Sequence, residues 1–489
     1  MEDHHKIFNL GQLKASGYKS KSIKTEIREN LIDKIKKNEK IFSGILGYEN
    51  TVIPDVERAL LSRHNILFLG LRGQAKTRMA RKMTELLDEY IPVVAGSELN
   101  DDPLQPVSRY AIDLIKEKGD NTPIIWLHRS ERYVEKLATP DVSIGDLIGD
   151  ADPIKAANLK LPYSDERVIH FGLIPRAHRS IFVINELPDL QARIQVSLFN
   201  ILQEGDIQIR GFKLRLPLDI AFVFTANPED YTNRGSIITP LKDRIESQIL
   251  THYPADPITS MSITSQEARI DSSVRSKIDV PVIHRLLIEK IAFNARESEY
   301  TNEKSGVSAR LGISMLENLY STAERRILMN NETATLTRIT DFTGIVPAIT
   351  GKLELVYEGE QEGSYNVALH LLFQSVKQLF LERFPNPNKS AKKETKDEYG
   401  VIKTYFSSGN TLELNNEDTH ADYTRKLDKI AGLKKLAESY KEYGDDLHVL
   451  MELIIFGLAE TDILGKHVLD DKMEFDDPIS GMLKDLNEE

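Results

Sequence analysis

The sequence predicts an α/β fold: a parallel sheet flanked by helices that carries a phosphate-binding loop, then an α-helical lid and a small α+β C-terminal module. Three stretches predict it. Ile66-Leu67-Phe68-Leu69 reads as a short buried strand, a turn with Gly70 and Gly73 follows, and Lys76-Thr77 opens a helical pattern through Met79, Met83 and Leu86. Ser180-Ile181-Phe182-Val183-Ile184 is a second buried strand and ends in Asn185-Glu186. Ile220-Ala221-Phe222-Val223-Phe224 is a third and ends in Thr225-Ala226-Asn227-Pro228.

The first stretch has the layout of a loop whose backbone N–H groups cradle phosphates. Its lysine reaches the outer oxygens and its threonine hydroxyl can ligate Mg²⁺. The motif has glycine just before the lysine, and here Ala75 stands there, which the loop accepts only if that residue keeps ordinary helical dihedrals. The second strand ends where such proteins keep acidic residues for Mg²⁺ and for activating water. Asn185 offers an amide oxygen and no charge, which puts metal handling in doubt, while Glu186 remains available as a base. Asn227, at the third strand tip, is placed to orient water beside the terminal phosphate.

Composition bounds the rest. The 489 residues suffice for two or three domains, and 28% charged with 40% hydrophobic residues is a globular balance. A net charge of -12 and a pI near 5.6 argue against a general nucleic-acid or anionic-membrane binder. There is no cysteine, which excludes disulfides, thiolate zinc and cysteine nucleophiles. Met1-Glu2-Asp3-His4-His5-Lys6 lacks a signal-peptide core and no apolar run approaches a membrane span, so a cytoplasmic protein without membrane insertion is expected.

In chain order, residues 1–40 read as a helical extension with an amphipathic helix over 20–40. Residues 41–256 read as the nucleotide-binding domain, opening with a glycine turn at Ile45-Leu46-Gly47-Tyr48 and a helix to about Arg63. Residues 93–120 read as an irregular insertion, strands are expected at Ile124–Leu127 and Tyr133–Leu137, and 151–168 reads as an exposed excursion. A helix over 193–204 leads to a hairpin from Gly205 returning through Phe212 to Leu216. Residues 257–385 read as a lid with one helix over 282–296 and another opening at Gly306-Val307-Ser308-Ala309-Arg310 and running to about Arg326. Residues 386–489 read as a separate module, after a linker with a charge run over 392–397. Its hairpin is expected from 401–406 to 411–414, with two helices and a frayed acidic tail beyond. Met473, Phe475, Ile479 and Met482 in that tail are candidates for docking a partner.

The phosphate loop, Gly172-Leu173-Ile174-Pro175-Arg176-Ala177-His178-Arg179 ahead of the second strand, Glu204-Gly205, Thr225-Ala226-Asn227-Pro228 and Asp243-Arg244 occur in one order. That order resembles the AAA+ ATPases of the MoxR and magnesium-chelatase subunit I group, over about residues 41–328. The resemblance implies an AAA+ P-loop NTPase core using ATP and Mg²⁺. Gly47, Gly70, Gly73, Gln74, Ala75, Lys76, Thr77 and Arg78 would line the nucleotide, and Thr77 and Asn185 would serve the metal. Glu186 would be the base and Asn227 sensor 1. Arg244 would be the finger that reaches a neighbour's nucleotide, with Arg234 as the next candidate, and Arg310 would be sensor 2. An alternative for Arg244 is a core ion pair with Asp243 or Glu246.

The resemblance further implies a ring, with a hexamer expected, that remodels a partner or inserts a metal or cofactor into it. A von Willebrand factor A domain protein is the partner type of that group, and this chain has no Asp-x-Ser-x-Ser motif of its own. Residues 345–363 resemble a stretch in proteins loosely named magnesium chelatases, with a lid-edge or subunit-contact role as the expectation. The alternative is a nucleotide-gated assembly scaffold with slow or no hydrolysis, since Asn185 weakens the acidic pair. A sigma-54 activator is disfavoured because the Gly-Ala-Phe-Thr-Gly-Ala loop is missing.

Overall fold

The computed structural model describes residues 7–162, 165–209, 215–228, 235–302, 305–390, 397–442, 444–469 and 472–478. The chain forms two compact units, Met1–His252 and Tyr253–Glu489.

Strands described in the first unit are β1 (Ile66–Leu69), β2 (Tyr90–Val94), β3 (Ile124–His128), β4 (Tyr133–Leu137), β5 (Gly149–Ala151), β6 (Ile169–Phe171), β7 (Ser180–Asn185), β8 (Asp206–Gln208), β9 (Arg215–Pro217), β10 (Ile220–Ala226) and β11 (Ser247–Leu250). Five of them build one sheet in the order β11-β1-β10-β7-β4, every pairing parallel. Runs such as Ile-Phe-Val-Ile are apolar on both faces because both faces are covered. Leu67, Phe182, Ile184, Phe222 and Phe224 pack on one side with Ile194, Leu198 and Ile201. Ile66, Phe68, Ile181, Val183 and Val223 pack on the other with Ile27, Leu31, Val56 and Met79. Helix Ile23–Lys36 starts at Ser22, whose side chain accepts from the Thr25 N–H. It is also tied in by a buried ion pair in which both Arg132 terminal nitrogens meet Glu26 at 2.7 Å.

The insertion expected to be irregular is ordered. β2 and β3 pair antiparallel as a separate ribbon, and Arg109–Lys118 is a helix capped by Ser108. Its apolar residues Ala111, Leu114 and Ile115 recur at helical spacing, a pattern that an irregular reading of 93–120 overlooks, although only Ala111 is fully buried. β8 and β9 form the expected hairpin, whose tip at 210–214 lies outside the described residues.

The second unit takes in both the segment expected as a lid and that expected as a separate module. Their apolar residues form one core running from Ala268 through Leu371 and Phe456 to Phe475. At its centre is helix Leu447–Ala459, buried on all sides from Val449 onward. Residues 401–406 do not form a strand: Gly400–Ser407 is a helix burying Ile402 and Phe406, positions that an alternating pattern and a helix face share. β12 (Ile278–Asp279) and β13 (Thr335–Leu336) pair in parallel, and β14 (Leu412–Asn415), β15 (Gly465–Val468) and β16 (Lys472–Asp476) form a sheet in the order β14-β16-β15. The tail is thus no frayed end up to Asp476, and Met473 and Phe475 fill this chain's own core instead of facing a partner. Ile479 and Met482 lie outside the described residues, as do most of the 392–397 charge run and Arg234. In the 345–363 segment Ile345 and Ile349 are fully buried in the same core. No helix among the described residues is long and apolar enough to cross a membrane.

Candidate active site

The carboxyl ends of the parallel strands line up. Leu69 registers with Ala226 and Leu250, and Leu137 with Asn185. Whatever follows β1, β7 and β10 is therefore delivered to one edge of the sheet, where open α/β sheets bind ligands.

The loop after β1 is held from behind. Thr251 Oγ1 donates to Gln74 Oε1 at 2.7 Å, and the Tyr48 hydroxyl bonds the carbonyls of Gln74 and His252 at 2.8 and 2.9 Å. Gly47 takes a φ of 80° in the turn just before Tyr48. A Cβ on Gly70 would lie 2.1 Å from Thr251 Oγ1, so this position has no room for a side chain. Gly73 supplies a φ of 73°. Ala75 departs from the expectation: its backbone is left-handed, φ 55° and ψ 17°, not helical. The loop keeps the geometry that glycine would favour, and the alanine methyl bears the strain.

Lys76, 7% exposed, opens helix Lys76–Lys82. Its ammonium donates to the carbonyls of Gly70 and Leu71, the latter at 2.9 Å, and to Asn227 Oδ1 at 2.5 Å. Asn227 passes the contact on, its Nδ2 donating to Glu186 Oε2 at 2.8 Å. Glu186 is itself left-handed, φ 54°, and its N–H donates to Thr225 Oγ1 at 3.2 Å. Lys76, Asn227 and Glu186 thus form one connected set from three strand ends.

Beside it lies a second set. Thr77 Oγ1 and Thr225 Oγ1 donate to Asn185 Oδ1 at 3.2 and 3.1 Å, and Asn185 Nδ2 donates to Glu135 Oε1 at 2.6 Å. Glu135 comes from β4, and its other oxygen accepts from Arg81 at 2.9 and 3.0 Å and from the Tyr133 hydroxyl at 3.0 Å. Burial, followed by the Glu135 charge, pushes the Tyr133 phenol up, which keeps it a neutral donor. The oxygens of Thr77 and Asn185 are the hard donors that Mg²⁺ prefers, with the Glu135 carboxylate behind Asn185, so the residues present fit this ion. No group of three or more His, Asp or Glu gathers into a metal cage among the described residues. Mg²⁺ in phosphate sites keeps waters and phosphate oxygens and needs no such cage.

Arg78 lies half-buried on the loop's helix. Arg244 follows the short helix Thr239–Lys242 and makes neither expected ion pair. Its guanidinium donates to Gln203 Oε1 at 3.1 Å and to the Pro240 carbonyl at 2.7 Å, over the Phe199 ring, and Glu246 instead accepts from the Asn65 N–H. Arg310 belongs to the second unit, exposed at the first turn of helix Arg310–Asn330, with no ion pair among the described residues. Sequence reasoning missed Tyr48, Glu135, Thr225 and Thr251. Each acts across strands or loops far apart in the chain, and only the polar tip of the third strand hinted at Thr225.

No family's sequence profile matches the chain. The magnesium-chelatase 38 kDa subunit of Cereibacter sphaeroides is 23% identical over 238 residues, covering 47% of this chain and 64% of the relative, a little under two thirds of its length. Among solved structures, the complex of magnesium-chelatase subunits BchI and BchD aligns at 19% identity and a TM-score of 0.34, covering 66% of this chain and 98% of that one. NtrX from Brucella abortus in complex with ATP aligns at 12% and 0.35, covering 82% and 72%. The fold shows in this chain's own parallel strand order, β11-β1-β10-β7-β4. By its ordered motifs and its chelatase relative, the chain resembles the AAA+ ATPases of the MoxR and magnesium-chelatase subunit I group.

Proposed function

We propose that the chain binds ATP with Mg²⁺ at the loop around Lys76 and hydrolyses it. The observation that carries this reading is the hydrogen-bonded series from Lys76 through Asn227 to Glu186 at the sheet edge. The Lys76 ammonium exchanges a loop carbonyl for an outer phosphate oxygen, a charge-assisted bond stronger than the one it replaces. Asn227 holds the Glu186 carboxylate, and Glu186 takes the proton of the attacking water. Mg²⁺, when bound, neutralises charge on the transferring phosphoryl group. Thr77 presents its hydroxyl to the metal, and Arg310 takes the sensor 2 role of the resembled group.

In this reading the active unit is a cytoplasmic ring, a hexamer, with Arg244 serving the adjacent copy's nucleotide. Its work is remodelling a partner of the von Willebrand factor A type, or loading a metal or cofactor into it, in line with the chelatase relative. The test is a pair of variants. Lys76→Ala is expected to lose ATP affinity, with about 1.5–3 kcal/mol at stake, while Glu186→Gln keeps binding and loses turnover. Unchanged ATP affinity of Lys76→Ala in calorimetry overturns the binding site, and normal hydrolysis by Glu186→Gln overturns the base.

One observation favours a second reading, the nucleotide-gated scaffold. Asn185 is uncharged and hydrogen-bonded to Thr77, Thr225 and Glu135. A chain that binds ATP, assembles and never turns over supports that scaffold.

A further inference from the structure

Asn185 stands where an acidic strand of this kind carries a negative charge, yet a carboxylate lies beside it. Glu135 reaches across from β4 to within 2.6 Å of Asn185 Nδ2. A carboxylate only accepts, so Nδ2 must face Glu135, and that fixes Oδ1 toward the hydroxyls of Thr77 and Thr225. The amide is therefore oriented by Glu135 with its oxygen on the metal-binding threonine. The Glu135 carboxylate is in turn held in place by Arg81 and Tyr133. Arg81 is on the helix that Lys76 and Thr77 open, so the loop's helix and this carboxylate are bonded directly. An aspartate at 185 would set two carboxylates side by side at this distance, and the pair would repel.

We propose that Glu135 is the positioning residue that supplies, from the neighbouring strand, the negative charge Asn185 lacks at the Mg²⁺–nucleotide site. It orients the Asn185 oxygen and places an anion next to the hydration shell of the metal. Partners of this type outside the direct ligands set metal affinity by 10- to 100-fold in other proteins, on the order of what is expected here. The inference rests on the reading of the Lys76 loop as an ATP site, and the test separates the two.

The readout is ATP affinity by calorimetry in Mg²⁺ and in EDTA, expressed as a ratio that reports metal coupling independently of turnover. Glu135→Gln is expected to lower that ratio about tenfold or more and leave affinity in EDTA nearly intact. Arg81→Ala, which frees the carboxylate but keeps it, retains most of the coupling. The decisive variant is the swap Asn185→Asp with Glu135→Gln, which restores one carboxylate to the pair and is expected to recover the wild-type ratio. Because the swap keeps the charge count, it also decides the matter should Glu135→Gln alone fail to fold. A wild-type ratio in Glu135→Gln, or a swap protein with no metal coupling, overturns the role of Glu135. Absence of ATP binding by the wild type in both conditions overturns instead the reading of the loop.

Discussion

At residues 70 and 75 the loop after β1 sets two opposite demands. Gly70 is glycine because its neighbours leave no space, whereas Ala75 sits in a backbone conformation that suits glycine and carries a methyl anyway. A left-handed non-glycine residue costs roughly 1–2 kcal/mol, and glycine returns about 0.4–1 kcal/mol of that through its freer unfolded chain. Ala75→Gly should therefore stabilise the first unit by up to about 1.6 kcal/mol, the difference of these terms, with ATP binding retained. Chemical denaturation checks it, and a loss of stability would mean that the Ala75 methyl makes packing contacts worth more than the strain. Asn185 carries the corresponding lesson for chemistry. Read alone, it predicts that an aspartate there would quicken turnover. With Glu135 against it, that single change adds repulsion, and the charge must be moved, not added.

At the scale of one element, helix Leu447–Ala459 buries a carboxyl as well as its apolar residues. Glu452 Oε1 accepts from the N–H groups of Ile339 and Thr340, at 2.8 and 3.3 Å, and from the Tyr423 hydroxyl. Burial pushes this carboxyl up from 4.5 to about 7. The folded chain thus keeps the proton over a range in which the unfolded chain has lost it. The resulting stabilisation is complete below the unfolded value and disappears as pH rises through about 7. Glu452→Gln, which keeps an acceptor and cannot ionise, removes that dependence. Relative to the variant, the wild type should lose up to about 3 kcal/mol of stability between pH 5 and pH 8. Parallel urea titrations across that range read the difference, and two curves that move together would show that Glu452 does not hold its proton in the fold.

For the whole molecule, the question is whether sites are shared between copies. Arg244 has its hydrogen bonds to Gln203 and Pro240 and its place over Phe199, but no carboxylate neutralises it among the described residues. In the ring reading it acts on the neighbour's nucleotide, where an arginine finger contributes on the order of 10³–10⁵ in rate. Arg244→Ala and Lys76→Ala should each be nearly inactive alone. Mixed, they should regain part of the activity, because some interfaces then pair an intact site with an intact finger. A mixture that stays dead while both variants fold and assemble, or full activity of Arg244→Ala by itself, rejects the shared site at this residue.

By itself the sequence determined the local units of the first half: the strand-loop-helix at Lys76, the apolar strands ending in Asn185-Glu186 and Asn227, and the glycine turn before Tyr48. Continuous apolar runs bounded by turns carry such information within a dozen residues. Tertiary structure decided everything that depends on which strands become neighbours. It set β4 beside β7, and so put Glu135 on Asn185; no spacing in the chain relates residues fifty positions apart. It turned residues 400–407 into a helix, because Ile402 and Phe406 satisfy either pattern and the core they enter selects one. It also made the tail part of a sheet, since β16 pairs with β15 just before it in the chain and, on its other side, with β14, which only the folded unit brings to it. The left-handed Ala75 belongs here too: the loop's shape is imposed by Thr251, Tyr48 and the strand ends around it, and the residue yields to them.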